Sequence, residues 1–385
     1  MKKTKIMPVF GTRPEAIKMA PLIKALDCDE HFVVRTVVTA QHRKMLDQVL
    51  DLFRIKPFYD LDIMEEEQTL TDITVKVLEG LGKIIAAEKP DMVLVHGDTT
   101  TTFAAGLAAF YEQVPVGHVE AGLRIHDKYA PYPEEMNRKL TGCIADLHFA
   151  PTETACASLL KEGINPGCIF ITGNTVIDAL LLTYKKQYRF KNKHLQQIDF
   201  LRKKAVLLTC HRRENLGASM RNIFRAVRRI AATHDDVEVI FPAHPNPRVR
   251  EVLVETLQGL ERVHIIEPLD YESFANLMGR CRLVLTDSGG IQEEAPALGI
   301  PVLVLRDITE RPEAVQAGTV RLIGMKEEVV FHETERLLTD SSAYGKMANA
   351  VNPYGDGKAA NRIMQALLFY FKYSTQRPEQ WKSKI

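Results

Sequence analysis

The sequence predicts an α/β protein of two doubly wound domains that face a central cleft, each with a parallel sheet flanked by helices. Three observations support this prediction. The chain has 385 residues, about twice the size of a usual single domain. Short apolar or β-branched runs alternate with segments of helical length. Polar residues follow directly after most of these runs, at the sheet edge where α/β proteins bind ligands.

Six strands are predicted in each half. The first half contains the runs KIMPVFG, VRTVVTA, MVLVHGD, VPVGHVE, LHFAP and IFITG. The second half contains AVLLTC, VEVIFPAH, VHIIEP, LVLTDSGG, PVLVLRD and VRLIG. Residues 184–200, YKKQYRFKNKHLQQIDF, indicate a solvated linker helix and loop between the halves.

The C-terminal segment NPYGDGKAANRIMQALLFYFKY predicts a turn and then an amphipathic helix that packs back on the first domain. We therefore place the first domain at residues 1–171 plus 358–385 and the second domain at residues 172–357.

The composition is that of an ordinary globular protein. Hydrophobic residues make up 45% of the chain and charged residues 26%, and no apolar run is long enough to span a bilayer. The N-terminus is read as a first strand rather than a signal peptide, which favours a cytoplasmic location. Because the net charge is only +1, no global field attracts nucleic acid, and an anionic ligand must be held by local groups.

The six cysteines form no C-x-x-C pair and lie in apolar segments, so we predict reduced core residues. A nucleophile at Cys210, beside His211, is the functional alternative. A Y-x-x-x-K motif at Tyr354 to Lys358 lacks a preceding strand, so we read it as a turn and helix start rather than a nicotinamide site. Phosphate-loop, H-E-x-x-H and zinc-cluster patterns are absent from the sequence.

The first predicted strand ends in FGTRPE. Gly11 permits a tight turn, Pro14 can open a helix, and Arg13 can meet phosphate. Lys18 lies one helical turn further on and is expected to point to the same edge. A capped helix with surface cations is the alternative.

Carboxylates follow the next strands. Asp98 comes after MVLVHG and Glu120 after VPVGHV. Taken singly, Asp98 could be a helix N-cap and Glu120 an ion-pair partner of Arg124, but two carboxylates at one sheet edge favour a functional site. A further acidic and basic set, Glu134, Glu135 and Arg138, opens the next predicted helix. Glu134 and Arg138 are spaced to share one helix face, either as a surface ion pair or as part of that site.

The second half supplies a phosphate-binding pattern. Ser288, Gly289 and Gly290 stand between a strand and a helix, where free backbone N–H groups can hold a diphosphate. Glu294, one turn along, can accept from a ribose diol, or it is an acid that stabilises the first turn of the helix. Further polar groups at strand ends are predicted to form a basic wall facing the carboxylates of the first half: His211, His244, Arg306 and Arg311.

The sequence resembles the non-hydrolysing UDP-N-acetylglucosamine 2-epimerases almost from end to end. The segments that carry the resemblance are FGTRPEAIKMAP, TAQHRKMLDQVLDLF, LVHGDTTTTFA, VGHVEAGLR, PEEMNRKLTG, TGNTVIDAL, HRREN, LTDSGGIQEEAPALG, PVLVLRDITERPEAVQAGT and NPYGDG. The resemblance implies the glycosyltransferase-B fold with two Rossmann-like domains, a homodimer, and a reaction that needs neither NAD nor metal.

The resemblance also implies a mechanism and residue roles. Anti elimination of UDP from UDP-N-acetylglucosamine would give 2-acetamidoglucal, and readdition would give UDP-N-acetylmannosamine. By similarity, the catalytic residues are Asp98, Glu120, Glu134, Arg138 and His211. The substrate-binding residues are Arg13, Lys18, His244, Ser288, Gly289, Gly290, Glu294 and Arg311. The resemblance leaves open which carboxylate removes the C2 proton.

A second UDP-N-acetylglucosamine acts as an activator in bacterial members, which implies an allosteric set of Gln41, His42, Lys44 and Arg212. The chain departs from the family pattern at Lys44 and Glu67, and at Ile125, His126 and Ala130. The alternatives are a hydrolysing 2-epimerase, a glycosyltransferase of the same fold, and a non-catalytic sensor. The family suggests supply of N-acetylmannosamine for surface polysaccharide or teichoic acid.

Overall fold

The computed structural model describes residues 3–40, 43–65, 67–210, 217–243 and 246–383, apart from the side chain of Lys44. The chain divides into two compact units, each with its own parallel sheet. The first unit comprises Met1–Leu182 and Tyr354–Ser383, and the second comprises Thr183–Pro353. None of the described helices combines the length and the apolar character that a membrane span requires.

The first unit alternates strands and helices as the sequence predicts. Its strands are β1 (Thr4–Phe10), β2 (Phe32–Val34), β3 (Val37–Val38), β4 (Tyr59–Asp60), β5 (Met92–His96), β6 (Val116–Val119), β7 (Leu147–Ala150) and β8 (Ile169–Ile171). Its helices are α1 (Arg13–Asp27), α2 (Arg43–Phe53), α3 (Leu70–Glu88), α4 (Thr100–Tyr111), α5 (Glu134–Ile144), α6 (Glu153–Lys161) and α7 (Thr175–Thr183), with a short 3-10 helix at Pro166–Cys168.

Two details differ from the prediction. The run VRTVVTA, residues 34–40, contains β3 and only the last residue of β2, and both strands pair with β1. The strand β4 was not predicted, because two residues carry no periodicity that a sequence pattern could reveal.

The first sheet is parallel, with the order β4-β3-β1-β5-β6-β7-β8 and with β2 paired to β1, among the described residues. Every residue of β5 is buried, as expected for a parallel strand covered on both faces. A core cluster joins β1 and β5 to the apolar faces of α3 and α4, including Met7, Val77, Val93 and Ala105.

The second unit repeats the pattern with the six strands that the sequence predicts. They are β9 (Lys204–Thr209), β10 (Val237–Pro242), β11 (Val263–Ile266), β12 (Leu283–Thr286), β13 (Val302–Val304) and β14 (Val320–Leu322). Its helices are α8 (Lys193–Gln196), α9 (Ala218–Thr233), α10 (Pro247–Leu257), α11 (Tyr271–Met278), α12 (Gly289–Ala297), α13 (Pro312–Gln316), α14 (Glu327–Thr339) and α15 (Ser341–Ala348). The sheet order is β11-β10-β9-β12-β13-β14, all parallel.

The strand order 3-2-1-4-5-6 of the second sheet is that of a Rossmann-type fold. Its core cluster brings strands β9, β10 and β12 together with α9, α10 and α14, including Leu208, Phe224, Phe241 and Leu285. Two doubly wound α/β units are therefore confirmed.

The chain returns to the first unit through α16 (Ala359–Tyr370), which packs against α1 as predicted. The buried carboxylate of Asp178, on α7, accepts hydrogen bonds from the backbone N–H groups of Ala359 (3.2 Å) and Ala360 (2.9 Å). The first unit therefore extends to Leu182 and resumes at Tyr354, rather than ending at residue 171 and resuming at 358. Tyr354 and its following residues form the predicted turn before α16.

Residues 184–200 are not a free linker, because aromatic groups anchor them to the second unit. Phe190 is buried, the guanidinium of Arg280 lies 4.8 Å from its ring centroid, and the Tyr188 hydroxyl is 3.1 Å from that of Ser273. The aromatic residues interleaved with the lysines therefore pack this segment onto the second unit.

Candidate functional site

The turn after β1 is built around one buried carboxylate. Thr12 caps α1 in a capping box with Glu15, and Pro14 stands in the first turn of the helix as predicted. A Cβ added to Gly11 would lie 2.1 Å from the Thr39 hydroxyl oxygen, so only glycine fits there. Arg13, the first residue of α1, is partly exposed at this edge.

Glu120 is fixed directly after β6. It adopts a left-handed backbone conformation (φ 62°) and is 9% exposed. Its Oε2 forms an ion pair with the ammonium group of Lys18 and accepts a hydrogen bond from Asn174 Nδ2 at 2.7 Å. The prediction that Lys18 points to this edge is confirmed.

The alternative pairing of Glu120 with Arg124 is wrong. Arg124 instead forms a two-pronged ion pair with Glu162, with N–O distances of 2.8 and 2.7 Å. Glu120 therefore takes its charge partner from α1, across the sheet edge, and not from its own loop.

Asp98 follows β5 and is held by α5. Arg138 Nε and Nη2 lie 2.9 and 2.6 Å from Asp98 Oδ2, and Asn137 Nδ2 donates to the Asp98 carbonyl at 2.9 Å. Asp98 is not the N-cap of α4; Thr99 is, accepting from the Thr102 N–H at 3.1 Å.

Arg138 pairs with Glu135 as well as Asp98, and the i,i+4 pair with Glu134 suggested by the sequence does not form. Arg138 Nη1 lies 3.2 Å from Glu135 Oε2. The fully buried Glu135 also accepts from the backbone N–H groups of Ile125 (3.1 Å) and His126 (3.0 Å). Glu134 Oε2 is buried and has no hydrogen-bond partner among the described residues.

Three buried histidines lie on the strands beneath this edge. Burial lowers the pKa of His96 to about 4, that of His118 to about 3 and that of His148 to about 4. All three are therefore neutral near pH 7. His118 Nε2–H donates to the Gly97 carbonyl at 2.7 Å, which supports the turn that carries Asp98. His96 Nε2 lies 4.0 Å from Glu120 Oε2.

The edge of the second sheet carries hydroxyl groups and an open helix start. Ser288 precedes α12 without a side-chain cap bond, and its N–H donates to the Thr286 hydroxyl at 3.0 Å. The hydroxyls of Thr209 and Thr286 are 2.6 Å apart and join the ends of β9 and β12. A Cβ at Gly289 or Gly290 would meet no described atom within 4 Å, so the start of this helix is open. Anions bind at such helix starts.

Glu294 lies in the second turn of α12, so the alternative role as a first-turn acid is wrong. It is 8% exposed, and its Oε1 accepts from the Tyr271 hydroxyl at 2.8 Å. The predicted basic wall is also corrected in part, because both of its described arginines pair with carboxylates of the same unit. Arg306 pairs with Glu310 at 2.6 Å, and Arg311 pairs with Glu293.

Six predicted residues cannot be placed. Gln41, His42, His211, Arg212, His244 and the side chain of Lys44 lie outside the described residues. The prediction about the cysteines is only partly right: none of the six is in a disulfide, Cys210 and Cys281 are buried, and Cys28 and Cys143 are exposed.

Sequence reasoning missed two polar residues that position the carboxylates: Asn137 and Asn174. Asn174 could have been found by the rule already used, because it directly follows the run IFITG. Asn137 could not, because its partner is the carbonyl of Asp98, at the end of a different element, and no local spacing reveals that contact.

The strand order and helix layers of the two units define the class: the chain has a glycosyltransferase-B type of fold. A family model described as UDP-N-acetylglucosamine 2-epimerase matches residues 24–368. The chain therefore belongs to the UDP-N-acetylglucosamine 2-epimerase family.

Individual relatives agree with this assignment. The UDP-N-acetylglucosamine 2-epimerase of Bacillus subtilis is 55% identical over 100% of both chains. A putative UDP-N-acetylglucosamine 2-epimerase from Listeria monocytogenes has a crystal structure with a TM-score of 0.94 at 54% identity, covering 99% of this chain and 100% of that one. The enzyme from Neisseria meningitidis bound to UDP-GlcNAc is 48% identical with a TM-score of 0.85, over 95% and 100% of the two chains.

Proposed function

We propose that this chain interconverts UDP-N-acetylglucosamine and UDP-N-acetylmannosamine without releasing the free sugar. The observation that carries the proposal is the pair of carboxylates at adjacent strand ends, Asp98 and Glu120, each held by a cation from a different helix. The relative from Neisseria meningitidis is bound to UDP-GlcNAc, which supports the choice of substrate.

The reaction requires both charge stabilisation and proton transfer. As the C1–O bond breaks, its electron pair leaves with UDP and positive charge develops on the sugar ring. The C2 proton then passes to a base, and a C1–C2 double bond forms. Addition of the proton to the opposite face of C2, with return of UDP to C1, gives the epimer. Each of these steps moves a proton or breaks and forms a C–O bond, without hydride transfer, so we propose that NAD takes no part. On the resemblance, we propose that no metal is needed either.

We assign different tasks to the carboxylates. Asp98 and Glu120 are held in place by ion pairs with Arg138 and Lys18, so these two carboxylates suit the stabilisation of positive charge on the sugar. Glu134 suits proton transfer, because its buried Oε2 has no partner within the described part of the chain. We retain His211 as a group that assists the departing diphosphate, on the resemblance alone.

UDP would bind at the second sheet. The open start of α12 at Ser288, Gly289 and Gly290 suits the diphosphate, and the buried Glu294 suits the ribose. Arg13 would contact phosphate, and Lys18 and Arg311 would lie toward the sugar, with His244 also in the binding set.

Further expectations from the resemblance stay proposals. They are a homodimer, activation by a second UDP-N-acetylglucosamine through Gln41, His42, Lys44 and Arg212, a cytoplasmic location, and supply of N-acetylmannosamine units for surface polysaccharide or teichoic acid.

The test is proton NMR of the purified protein with UDP-N-acetylglucosamine in deuterated water, with EDTA present and no added NAD. UDP-N-acetylmannosamine carrying deuterium at C2 is the expected product. Free N-acetylmannosamine with UDP would instead assign a hydrolysing epimerase. An unchanged substrate would overturn the proposal and leave a transferase or a sensor.

The variant Glu134→Gln tests the assignment of the base. We expect it to lower the rate of C2 deuterium exchange by about 1000-fold, since general-base removal costs about 100- to 10,000-fold. Exchange at the wild-type rate would move the base to Asp98 or Glu120.

A further inference from the structure

One buried carboxylate, that of Glu15, joins two turns of the first unit. Glu15 is 2% exposed. Its Oε2 accepts from the backbone N–H groups of Gly11 (3.0 Å) and Thr12 (2.8 Å) and from the Thr12 hydroxyl (2.7 Å). These contacts hold the turn between β1 and α1.

The second oxygen of Glu15 reaches a different turn. Oε1 accepts from the hydroxyl of Thr99 at 2.7 Å, and the hydroxyl of Thr102 lies 3.1 Å away. Thr99 is the N-cap of α4 and directly follows Asp98. A capping box needs only one carboxylate oxygen, so the second bond goes beyond what α1 requires for its own start.

The two joined turns lie where ligands bind in this type of fold. Strands β1 and β5 pair directly, and the strand order reverses between them, because β3 lies beyond β1 and β6 lies beyond β5. Ligands of doubly wound sheets bind outside the carboxyl ends of the strands at this point. The first turn carries Arg13 and the second carries Asp98.

A glutamate suits these contacts because both of its oxygens accept hydrogen bonds. A glutamine would keep one acceptor oxygen for the N–H groups of Gly11 and Thr12, but its NH₂ group would then stand where the Thr99 hydroxyl donates. The charge-assisted bond between the two turns would be lost. An aspartate is one methylene shorter and cannot span the same pair of turns. Burial favours the neutral form of this carboxyl and raises its pKa, while the hydrogen bonds from Thr99 and Thr12 act in the opposite direction.

We infer that Glu15 is a positioning residue for the epimerase reaction, fixing the turn that carries Arg13 relative to the turn that carries Asp98. The inference rests on the proposed function. Glu15 acts through Thr99 on the carboxylate of Asp98 and does not itself meet the substrate. Loss of the bond to Thr99 therefore affects the rate of the chemical step more than the affinity for UDP, because the turn that carries Arg13 can keep its own hydrogen bonds to the side chain of residue 15.

The experiment compares steady-state epimerisation of UDP-N-acetylglucosamine, UDP affinity and thermal unfolding in Glu15→Gln, Thr99→Val and Thr99→Ser. We expect Glu15→Gln to lower kcat by about 30-fold and Thr99→Val by about tenfold, because misplacement of reacting groups by about 1 Å costs up to about 100-fold. UDP affinity should stay within about threefold. Thr99→Ser keeps the hydroxyl and should restore kcat to within about threefold of wild type.

The double variant Glu15→Gln/Thr99→Val should be no slower than Glu15→Gln alone, because both changes break the same link. The matched control is Asp72→Asn, which removes the charge from the capping box of Thr69 and Asp72 at the exposed start of α3 and so weakens it. It should lower the melting temperature and leave kcat unchanged.

Each outcome decides the inference. A folded Glu15→Gln variant with wild-type kcat would overturn it while leaving the proposed function intact. If Glu15→Gln does not fold, equal kcat values for Thr99→Val and Thr99→Ser would overturn it instead. A wild-type protein that does not epimerise the substrate would overturn the proposed function and this inference together.

Discussion

The two sheets of this protein share a strand arrangement but carry different chemistry at their edges. In each sheet the first strand pairs with the second on one side and with the fourth on the other, disregarding the short β2. The first unit places Asp98 and Glu120 after neighbouring strands, each with a cation. The second unit presents hydroxyls and an unobstructed pair of glycines at the start of α12.

The difference teaches that the backbone arrangement sets where a site lies, and the side chains after each strand set what it does. Charged groups held by fixed partners suit stabilisation of charge at the sugar. Open backbone N–H groups suit a diphosphate. Four predictions test this division, beginning with the largest expected effect.

Removing a carboxylate from the first edge should impair chemistry rather than nucleotide binding. We expect Asp98→Asn to lower kcat by about 1000-fold, because Arg138 then has one negative partner fewer and the edge loses a charge. UDP affinity should change by less than about threefold. Glu65→Gln, which breaks the exposed ion pair with Lys76, is the control and should behave as wild type. A loss of UDP affinity in step with kcat would contradict the division.

Adding a side chain at the open start of α12, on the edge of the second sheet, should instead impair nucleotide binding. We expect Gly290→Ala to weaken UDP binding by about 30-fold, or about 2 kcal/mol, in titration calorimetry. Folding should not suffer, because no described atom lies within 4 Å of the added Cβ and alanine favours helix. Gly82→Ala, an equally unobstructed site on α3, is the control. Unchanged UDP affinity in Gly290→Ala would move the phosphate site elsewhere.

The buried histidines distinguish the first unit by its response to acid. His148 has a pKa of about 4 when folded and about 6.5 when unfolded, so its contribution to stability is present above pH 6.5 and is lost as the pH falls toward 4. When the pH is lowered from 7 to 5, the free energy of unfolding should therefore fall in both proteins. The fall should be about 2 kcal/mol smaller in His148→Asn than in the wild type.

The only tryptophan of the chain, Trp381, gives a fluorescence signal for the first unit, where its backbone N–H donates to the Ile171 carbonyl at 2.7 Å. Urea titrations followed at Trp381 should show the effect of His148→Asn. An equal pH dependence in wild type and variant would mean that His148 titrates normally in the folded state.

Asp178 should change the pH dependence of stability in the opposite direction to His148, and by a smaller amount. Burial raises its pKa to about 6 from 3.8, so its contribution is present below about pH 4 and is lost as the pH rises through 6. When the pH is lowered from 7 to 5, the free energy of unfolding should therefore fall by about 1 kcal/mol more in Asp178→Asn than in the wild type. The measurement is again a urea titration followed at Trp381.

Asp340 provides the matched control for Asp178. It also accepts from two backbone N–H groups at a helix start, at 2.8 and 3.0 Å, but it is exposed, its pKa is lowered by those bonds, and it belongs to the second unit. Asp340→Asn should leave the Trp381 signal unchanged over this pH range. A shift as large as that of Asp178→Asn would contradict a role for burial.

The sequence by itself determined the α/β class, the two sheets, the strands that are long enough to show a run of apolar residues, and the strand-end positions of Asp98, Glu120 and Ser288. These follow from local patterns, because burial on both faces of a parallel strand and the turn chemistry after it are written in consecutive residues.

Only the tertiary structure decided which side chains form ion pairs and hydrogen bonds with one another at the site. Glu120 pairs with Lys18 and not with Arg124. Arg138 bridges Asp98 and Glu135. Glu15 accepts a hydrogen bond from Thr99, which lies 84 positions further along the chain. The physical reason is that an ion pair or hydrogen bond depends on distance in space. Strands that are neighbours in a doubly wound sheet can be remote in sequence, so spacing along the chain cannot reveal which side chains meet.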